Sequence, residues 1–296
     1  MLRILGTIFA GLFGLAFGSF LNVCLSRWPT EESIVTPGSH CRNCGHMLTW
    51  LENIPLFSWI VLRGRCSICY GKIGWRYPLV ESAVAVLWAL QAWHSLGITI
   101  LPDASNLEVA LTDLIAKMIF AWLLVALAML DAESFWLPDK LTISGIGLGI
   151  VLTTVLAPID DSWWTHTKTA VMGTENASLA ILICAGLILL IRWLYKLIRR
   201  REGLGLGDAK LMAMLAAWLG LPGALLALAI GVVIGTIAAL IILVIPSLRR
   251  DRSTHRDSTH WSASKLPLGT FLCIGGVISS LWGQPIINAY LRWSGL

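Results

Sequence analysis

The stretch Gly203-Leu204-Gly205-Leu206-Gly207-Asp208-Ala209-Lys210 separates two apolar runs of the chain, the second of which begins at Leu211. A carboxylate at the rim of a membrane segment is costly to desolvate, so Asp208 requires an explanation. Three glycines at alternate positions remove side chains just before it, which allows an extended substrate or a neighbouring helix to approach. The simpler interpretation, in which glycine ends one helix and Asp208 caps the next, remains open at this point.

Composition places the chain among polytopic membrane proteins. Hydrophobic residues make up 56% of the 296 residues and charged residues only 13%, which is about half the charged fraction of a soluble domain. Apolar segments cross a bilayer as helices, and the sequence predicts an all-α polytopic membrane protein with about eight transmembrane helices. The eight apolar runs are Ile4–Val23, Leu79–Leu96, Leu111–Leu130, Leu141–Leu156, Leu179–Leu197, Leu211–Leu221, Ala224–Ile245 and Leu268–Leu291.

Positive charge is concentrated on one side of these runs. With the N-terminus outside, four connecting segments lie in the cytoplasm and hold 18 of the 22 Lys and Arg residues. Those segments are Cys24–Pro78, Asp131–Lys140, Arg192–Lys210 and Pro246–Pro267. Since cytoplasmic loops of membrane proteins carry the excess of Lys and Arg, this asymmetry predicts the orientation. It also accounts for the net charge of +5 without a nucleic-acid partner.

The sixth run, Leu211–Leu221, is too short to cross a bilayer by itself. A helix of this length rises about 16 Å, whereas a hydrocarbon core is about 30 Å thick. The helix begins upstream and draws Asp208 below the lipid surface, or the bilayer thins locally, or the segment re-enters on the same side. Each alternative places Asp208 near the cytoplasmic edge of the membrane.

A second acidic site follows the third apolar run, in Leu130-Asp131-Ala132-Glu133-Ser134-Phe135-Trp136-Leu137-Pro138-Asp139-Lys140. Asp131 directly follows the apolar run, on the same side of the membrane as Asp208. Glu133 is expected to be solvated, and Asp139 is expected to cap the next helix. Asp131 is therefore the acid that is available to face Asp208 across the helix bundle.

Two carboxylates that share a site cannot easily both ionise, so one of them keeps its proton near neutral pH. Such a pair can activate water as a base and protonate a leaving amine as an acid, without a nucleophilic serine or thiol. The alternative is that Asp131 and Asp208 are unrelated acids, each paired with a base such as Lys140 or Lys210. Spacing alone leaves both interpretations open.

Two Cys-x-x-Cys pairs lie between the first two apolar runs. Cys41-Arg42-Asn43-Cys44 is followed after 21 residues by Cys66-Ser67-Ile68-Cys69. This spacing is typical of tetrahedral zinc coordination, and disulfides are rare in the cytoplasm, where the orientation places this loop. The sequence predicts a structural zinc site because four thiolates leave no open coordination position. The predicted ligands are Cys41, Cys44, Cys66 and Cys69.

These features predict three parts: a first transmembrane helix (1–24), a cytoplasmic zinc-binding loop domain (25–78) and a membrane-embedded helical bundle (79–296). Two other classes of protein compete with an enzyme. An ion- or proton-coupled transporter would place charged residues at mid-depth along the spans, where Asp113 and Lys117 are among the few present. A zinc-stabilised scaffold without chemistry would tolerate replacement of Asp208 but not of the cysteines.

Together these residues resemble the prepilin peptidases, the type IV leader peptidases of pilus and type II secretion systems. The matching stretches run in family order over most of the chain. They are Gly18-Ser19-Phe20-Leu21-Asn22-Val23, the two Cys-x-x-Cys pairs, Asn53-Ile54-Pro55-Leu56, Ser58-Trp59, Leu62-Arg63-Gly64, Arg76-Tyr77-Pro78-Leu79-Val80-Glu81, Asp131 with Leu137-Pro138-Asp139, and Gly205-Leu206-Gly207-Asp208. Two departures stand out: Thr270 occupies a position where the family often has proline, and Trp136 is bulky.

The resemblance implies an integral aspartic protease of the Gly-x-Gly-Asp type in the bacterial inner membrane. Asp131 and Asp208 match the family's catalytic carboxylates, and Gly205 and Gly207 lie in the loop that the substrate would approach. The implied substrates are type IV prepilins and pseudopilins, whose basic leader is cleaved after a glycine at the cytoplasmic face. Family members with the four-cysteine loop commonly also N-methylate the new amino terminus with S-adenosylmethionine, and here methyl transfer rests on the resemblance alone.

Overall fold

The computed structural model describes residues 1–98, 104–156, 174–200, 205–244 and 266–295. Within these ranges the regular structure is helical, with two isolated β-bridges. The helices are α1 (Leu2–Arg27), α2 (Phe57–Val61), α3 (Arg76–Ile98), α4 (Ala104–Ser134), α5 (Asp139–Leu156), α6 (Thr174–Arg199), α7 (Leu206–Val244) and α8 (Leu268–Ser294). Gly203, Leu204 and most of the predicted cytoplasmic segment Pro246–Pro267 lie outside the described residues.

In the part of the chain that the structure describes, five helical segments are long and apolar enough to cross a membrane. They are Arg3–Thr30, Ala110–Ser134, Ala177–Arg199, Leu206–Val244 and Leu268–Ser294. All five expose large apolar side chains, as expected of helices whose solvent is lipid. The prediction of an all-α polytopic membrane protein is confirmed, while the count of eight spans stays a prediction.

The predicted sixth and seventh apolar runs form the two arms of α7. The first arm begins at Leu206, upstream of the apolar run, and this places Asp208 in its first turn. Gly220 interrupts the helix with φ 68° and ψ 178°, and Pro222 follows it. Glycine adopts this backbone conformation without steric cost and proline cannot continue the hydrogen-bond ladder, so the chain kinks there. Every residue of the first arm from Leu211 to Leu219 is buried, which explains why the run is apolar on all sides.

Residues Met1–Ala126 form one compact unit, unit 1. Within it α1 and α3 pack with their backbones close together because glycines of α1 face α3. A Cβ atom on Gly14 would lie 2.6 Å from Cα of Ala85, and one on Gly18 would lie 2.7 Å from Cα of Glu81. This close approach brings the end of α1 to the start of α3, and the cysteine pairs lie in the segment between them.

Residues Leu127–Leu296 form a second compact unit, unit 2. Here α7 and α8 pack equally closely, since a Cβ atom on Gly275 would lie 2.1 Å from the carbonyl oxygen of Ala227. The Ser279 hydroxyl donates a hydrogen bond of 2.8 Å to the carbonyl of Gly223 across the same interface. The two units are defined by packing alone and do not test the functional division into 1–24, 25–78 and 79–296. That division stays a prediction.

We expect Gly275→Ala to destabilise the protein by about 1–3 kcal/mol, because the new methyl group overlaps the Ala227 carbonyl and forces α7 and α8 apart. Gly186→Ala in α6 is the matched control, because no heavy atom of the described residues lies within 4 Å of its added Cβ. Thermal unfolding of the detergent-solubilised variants measures the difference. Equal midpoints for the two variants would contradict the close packing of α7 on α8.

Candidate active site

Asp131 is buried near the C-terminal end of α4 and is held by the first turn of α8. Its Oδ2 accepts hydrogen bonds from the backbone N–H of Thr270 at 2.7 Å and from the Thr270 hydroxyl at 3.2 Å. The same hydroxyl lies 3.0 Å from the carbonyl of Ala128, so it can give its proton to either acceptor. A Cβ on Gly269 would lie 2.9 Å from Oδ2 of Asp131, which makes glycine necessary there. The free N–H groups of a helix start stabilise a carboxylate, and they fix Asp131 in this position.

Asp208 is partly buried in the first turn of α7. Its Oδ2 accepts a hydrogen bond of 3.2 Å from the backbone N–H of Gly205, so the carboxylate ties the preceding loop to the helix start. The two glycines before it have different surroundings. A Cβ on Gly205 would make only ordinary contacts, whereas one on Gly207 would lie 3.1 Å from Cβ and Cδ1 of Leu137. Gly205 therefore leaves Asp208 uncovered, and Gly207 makes room for Leu137.

The structure brings the two predicted acids together in unit 2. Leu137 lies beside both, because the glycine before Asp208 and the glycine against Asp131 would each place a Cβ 3.1 Å from it. Asp131 and the start of α7, which carries Asp208, therefore lie around the same side chain. That the two carboxylates face one another stays a prediction.

The nearby lysine that could have neutralised this pair is bound elsewhere. Lys210 Nζ lies 2.6 Å from Oδ1 of Asp139, the first residue of α5. Among the described residues, neither Asp131 nor Asp208 forms an ion pair with a base. Glu133 is exposed, as predicted. The interpretation of Asp131 and Asp208 as separately paired acids therefore lacks support in the described ranges.

Thr270 is a site residue whose role the sequence did not predict. In the sequence it stood out only because prepilin peptidases often have proline at this position. Proline has no backbone N–H and could not make the 2.7 Å hydrogen bond to Asp131. Its contact with Asp131 joins positions 139 residues apart, and no local pattern indicates such a pairing.

The four predicted metal ligands form one cluster, with all Sγ atoms within 4.8 Å of one another. The Sγ atoms of Cys41 and Cys69 are 3.8 Å apart, and those of Cys44 and Cys66 are 4.0 Å apart. Tetrahedral coordination with Zn–S bonds of about 2.3 Å requires sulfur atoms separated by about 3.8 Å. The thiols therefore fit a tetrahedral metal ion, and the prediction of a four-cysteine metal site is confirmed to that extent.

Each cysteine pair lies in the same kind of tight hairpin. In each, the N–H of the first cysteine donates to the carbonyl five positions on, and the residue after the second cysteine has a positive φ. The bonds are Cys41 to His46 at 2.8 Å and Cys66 to Gly71 at 2.9 Å, with φ 74° at Gly45 and 56° at Tyr70. The backbone N–H of Gly71 and the amide of Asn43 lower the pKa of the Cys69 thiol to about 6, which favours the thiolate that a metal binds.

Glu52 connects the two hairpins. Its Oε2 accepts hydrogen bonds from Thr49 N–H at 2.8 Å and lies 3.2 Å from His46 Nε2, while the Ser67 hydroxyl donates to Oε1. The Ser67 bond, followed by those from Thr49 and His46, lowers the pKa of Glu52 to about 2. Sequence reasoning missed this residue, although it is the single acid between the two cysteine pairs.

Comparison with known proteins supports the resemblance to the leader peptidases over most of the chain. The bacterial Peptidase A24 N-terminal domain matches residues 12–95, and the type IV leader peptidase family matches residues 118–240. No solved structure matches the chain.

Several relatives share the name prepilin leader peptidase/N-methyltransferase. One from Pseudomonas aeruginosa is 33% identical over 309 residues, covering 96% of this chain and 93% of the relative. One from Dichelobacter nodosus is 34% identical over 312 residues, covering 95% and 93%. One from Stutzerimonas stutzeri is 32% identical over 314 residues, covering 96% and 93%. With such identity over nearly its full length, the chain belongs to the type IV leader peptidase family.

Proposed function

We propose that this protein is a membrane aspartic endopeptidase that removes the basic leader of type IV prepilins and pseudopilins and then N-methylates the new amino terminus. The name of its relatives supports both activities, and the chain spans about 93% of their length. The observation that carries the proposal is that Asp131 and the start of α7 at Asp208 pack around Leu137, while no base of the described residues is paired with either acid.

The two carboxylates perform the hydrolysis as a pair. One of them, ionised, takes a proton from a water molecule that attacks the scissile carbonyl, and the other, protonated, gives its proton to the leaving amine. Thr270 orients Asp131 through two donors, and Gly205 leaves space for an extended substrate strand beside Asp208. Like-charged carboxylates at short range hold one proton between them, which supplies the acid and the base together.

The proposed location is the bacterial inner membrane, with the N-terminus outside and both carboxylates and the cysteine segment at the cytoplasmic face. The concentration of Lys and Arg in four connecting segments supports this orientation. A membrane enzyme can then bind the apolar segment of a prepilin laterally while its basic leader stays in water. In this arrangement residues 25–78 form the metal-binding domain and residues 79–296 the protease bundle.

We assign zinc to the four-cysteine cluster and a structural role to that zinc. Four thiolates complete a tetrahedron and leave no position for water or substrate. S-adenosylmethionine would supply the methyl group for the second activity, as the name of the relatives suggests. The cysteine domain belongs to unit 1 and both carboxylates belong to unit 2, which is consistent with two activities in one chain.

An ion- or proton-coupled transporter receives no support from the charges within the spans. Asp113 and Lys117, which are among the few charged residues within the predicted spans, form an ion pair one turn apart on α4. Each charge is neutralised by its neighbour on the same helix, so the pair needs no transported ion to explain it.

We expect Asp131→Asn and Asp208→Asn each to lower leader cleavage by at least about 100-fold, because each removes one partner of the acid–base pair. Asp139→Asn is the matched control, since its exposed carboxylate pairs with Lys210 and has no role in the chemistry. Mass spectrometry of a prepilin peptide incubated with the purified protein measures cleavage. Substantial activity in both single variants would rule out the pair.

Replacing Thr270 tests whether its hydroxyl hydrogen bond orients Asp131. We expect Thr270→Val, which keeps the backbone donor but loses the hydroxyl, to lower kcat by about tenfold, the usual effect of one hydrogen bond to a charged group. Thr270→Ser restores the hydroxyl and should recover the rate, and KM should be similar in all three proteins. A wild-type kcat for Thr270→Val would show that the hydroxyl does not orient Asp131.

Metal analysis tests the cysteine cluster. We expect purified wild-type protein to contain one equivalent of zinc, and Cys44→Ser to lose it and to show a lower unfolding midpoint, since folding of small metal domains is coupled to metal binding. Cys184→Ala removes a buried thiol outside the cluster and should keep its zinc. A full zinc content in Cys44→Ser, or none in the wild type, would contradict the assignment.

A further inference from the structure

Unit 1 contains a cavity of about 350 Å³ that the proposed proteolysis does not use. It lies between the end of α1, the start of α3 and the cysteine hairpins. The side chains that matter most here are Ser19 and Asn22 from α1 and Tyr77 and Glu81 from α3. None of the residues that line it belongs to unit 2.

Glu81 is a buried carboxylate, 6% exposed, that lines this cavity. It accepts a hydrogen bond of 2.8 Å from the backbone N–H of Leu56, and Ser19 lines the cavity beside it. In the described part of the chain it forms no ion pair with Lys, Arg or His. Burying a carboxylate without a cation is costly, so the cavity favours a positively charged ligand beside Glu81.

Asn22 is 2% exposed and lines the same cavity. Its Nδ2 donates to the carbonyl of Tyr77 at 3.0 Å, which fixes the orientation of the amide. Its Oδ1 is buried and has no hydrogen-bond partner among the described residues. A buried acceptor without a partner is costly, and this one requires a donor from a ligand.

The two acceptors are held on adjoining helices. Gly18 of α1 would place a Cβ 2.7 Å from Cα of Glu81, so the helices touch at this level. The carboxylate and the unpartnered amide oxygen thus belong to two residues that line the same cavity. A primary ammonium group offers both the positive charge and the N–H donors that these two acceptors favour. The methionine part of S-adenosylmethionine also carries such a group, so the binding test below separates the two ligands.

We propose that Glu81 and Asn22 bind the amino terminus that leader cleavage exposes, and that Glu81 is the base for its methylation. This proposal rests on the proposed function. Glu81 takes one proton from the ammonium group and becomes a neutral carboxylic acid, while Asn22 Oδ1 accepts a hydrogen bond from the remaining N–H groups. The sulfonium donor supplies the methyl group: the amine lone pair forms the N–C bond and the C–S electron pair stays on sulfur.

The test uses the full-length protein in detergent with Glu81→Gln and Asn22→Leu. Glu31→Gln is the matched control, because Glu31 is exposed and does not line the cavity. We expect Glu81→Gln to cleave a prepilin peptide at the wild-type rate while methylation falls by at least about 100-fold. Asn22→Leu should lower methylation by about tenfold, and Glu31→Gln should leave both activities unchanged.

Binding gives a readout that is independent of turnover. A peptide that begins at the mature amino terminus should bind about tenfold more weakly to Glu81→Gln than to the wild type, and its N-acetylated form should bind both equally weakly. S-adenosylhomocysteine should bind both proteins equally. Weaker binding of S-adenosylhomocysteine to Glu81→Gln, with peptide binding unchanged, would assign Glu81 to the donor and overturn the proposal.

The remaining outcomes are also decisive. Wild-type methylation by Glu81→Gln overturns the proposal, and so does loss of cleavage or zinc in that variant, which would identify Glu81 as a structural residue. If the wild-type protein fails to cleave the prepilin peptide, the proposed function itself fails, and that result does not depend on either variant.

Discussion

The first turn of α8 fixes Asp131, and the site in unit 2 depends on this contact. A carboxylate enclosed by apolar helices needs donors, and in a membrane protein water does not supply them. Here the Thr270 backbone and hydroxyl provide two hydrogen bonds, and the absence of a Cβ on Gly269 allows Asp131 to come that close. Leu137 fills the space beside both this contact and the start of α7, which positions Asp208 relative to Asp131.

The sequence indicated the acids and thiols to which we assign chemistry, but not the residues that hold them in place. Asp131 and Asp208 were identifiable because carboxylates are rare at the ends of apolar runs, and the four cysteines because their spacing matches a metal site. Thr270 and Glu52 act through contacts that their neighbours in sequence do not reveal. Gly207 is a further example. The alternating glycines before Asp208 predicted room for a substrate there, whereas the structure shows Gly207 packed against Leu137.

The cysteine segment illustrates why a metal belongs in unit 1. From Trp28 to Tyr77 only Gly64 and Cys66 are buried, so this segment has almost no apolar core of its own. Small domains without a core are stabilised by metals or disulfides. The four thiols and the Glu52 hydrogen bonds supply the long-range links that apolar packing does not.

The three carboxylates to which we assign chemistry are held in place by the same kind of contact. Asp131, Asp208 and Glu81 each accept a hydrogen bond from a backbone N–H, and each has a glycine close by. A backbone donor orients a carboxylate without adding a full positive charge, whereas a salt bridge would occupy it and neutralise it. Asp139, which is bound to Lys210, shows that alternative in the same protein. Backbone donors therefore leave the first three acids able to accept or give a proton, and an ion pair leaves the fourth with a structural role.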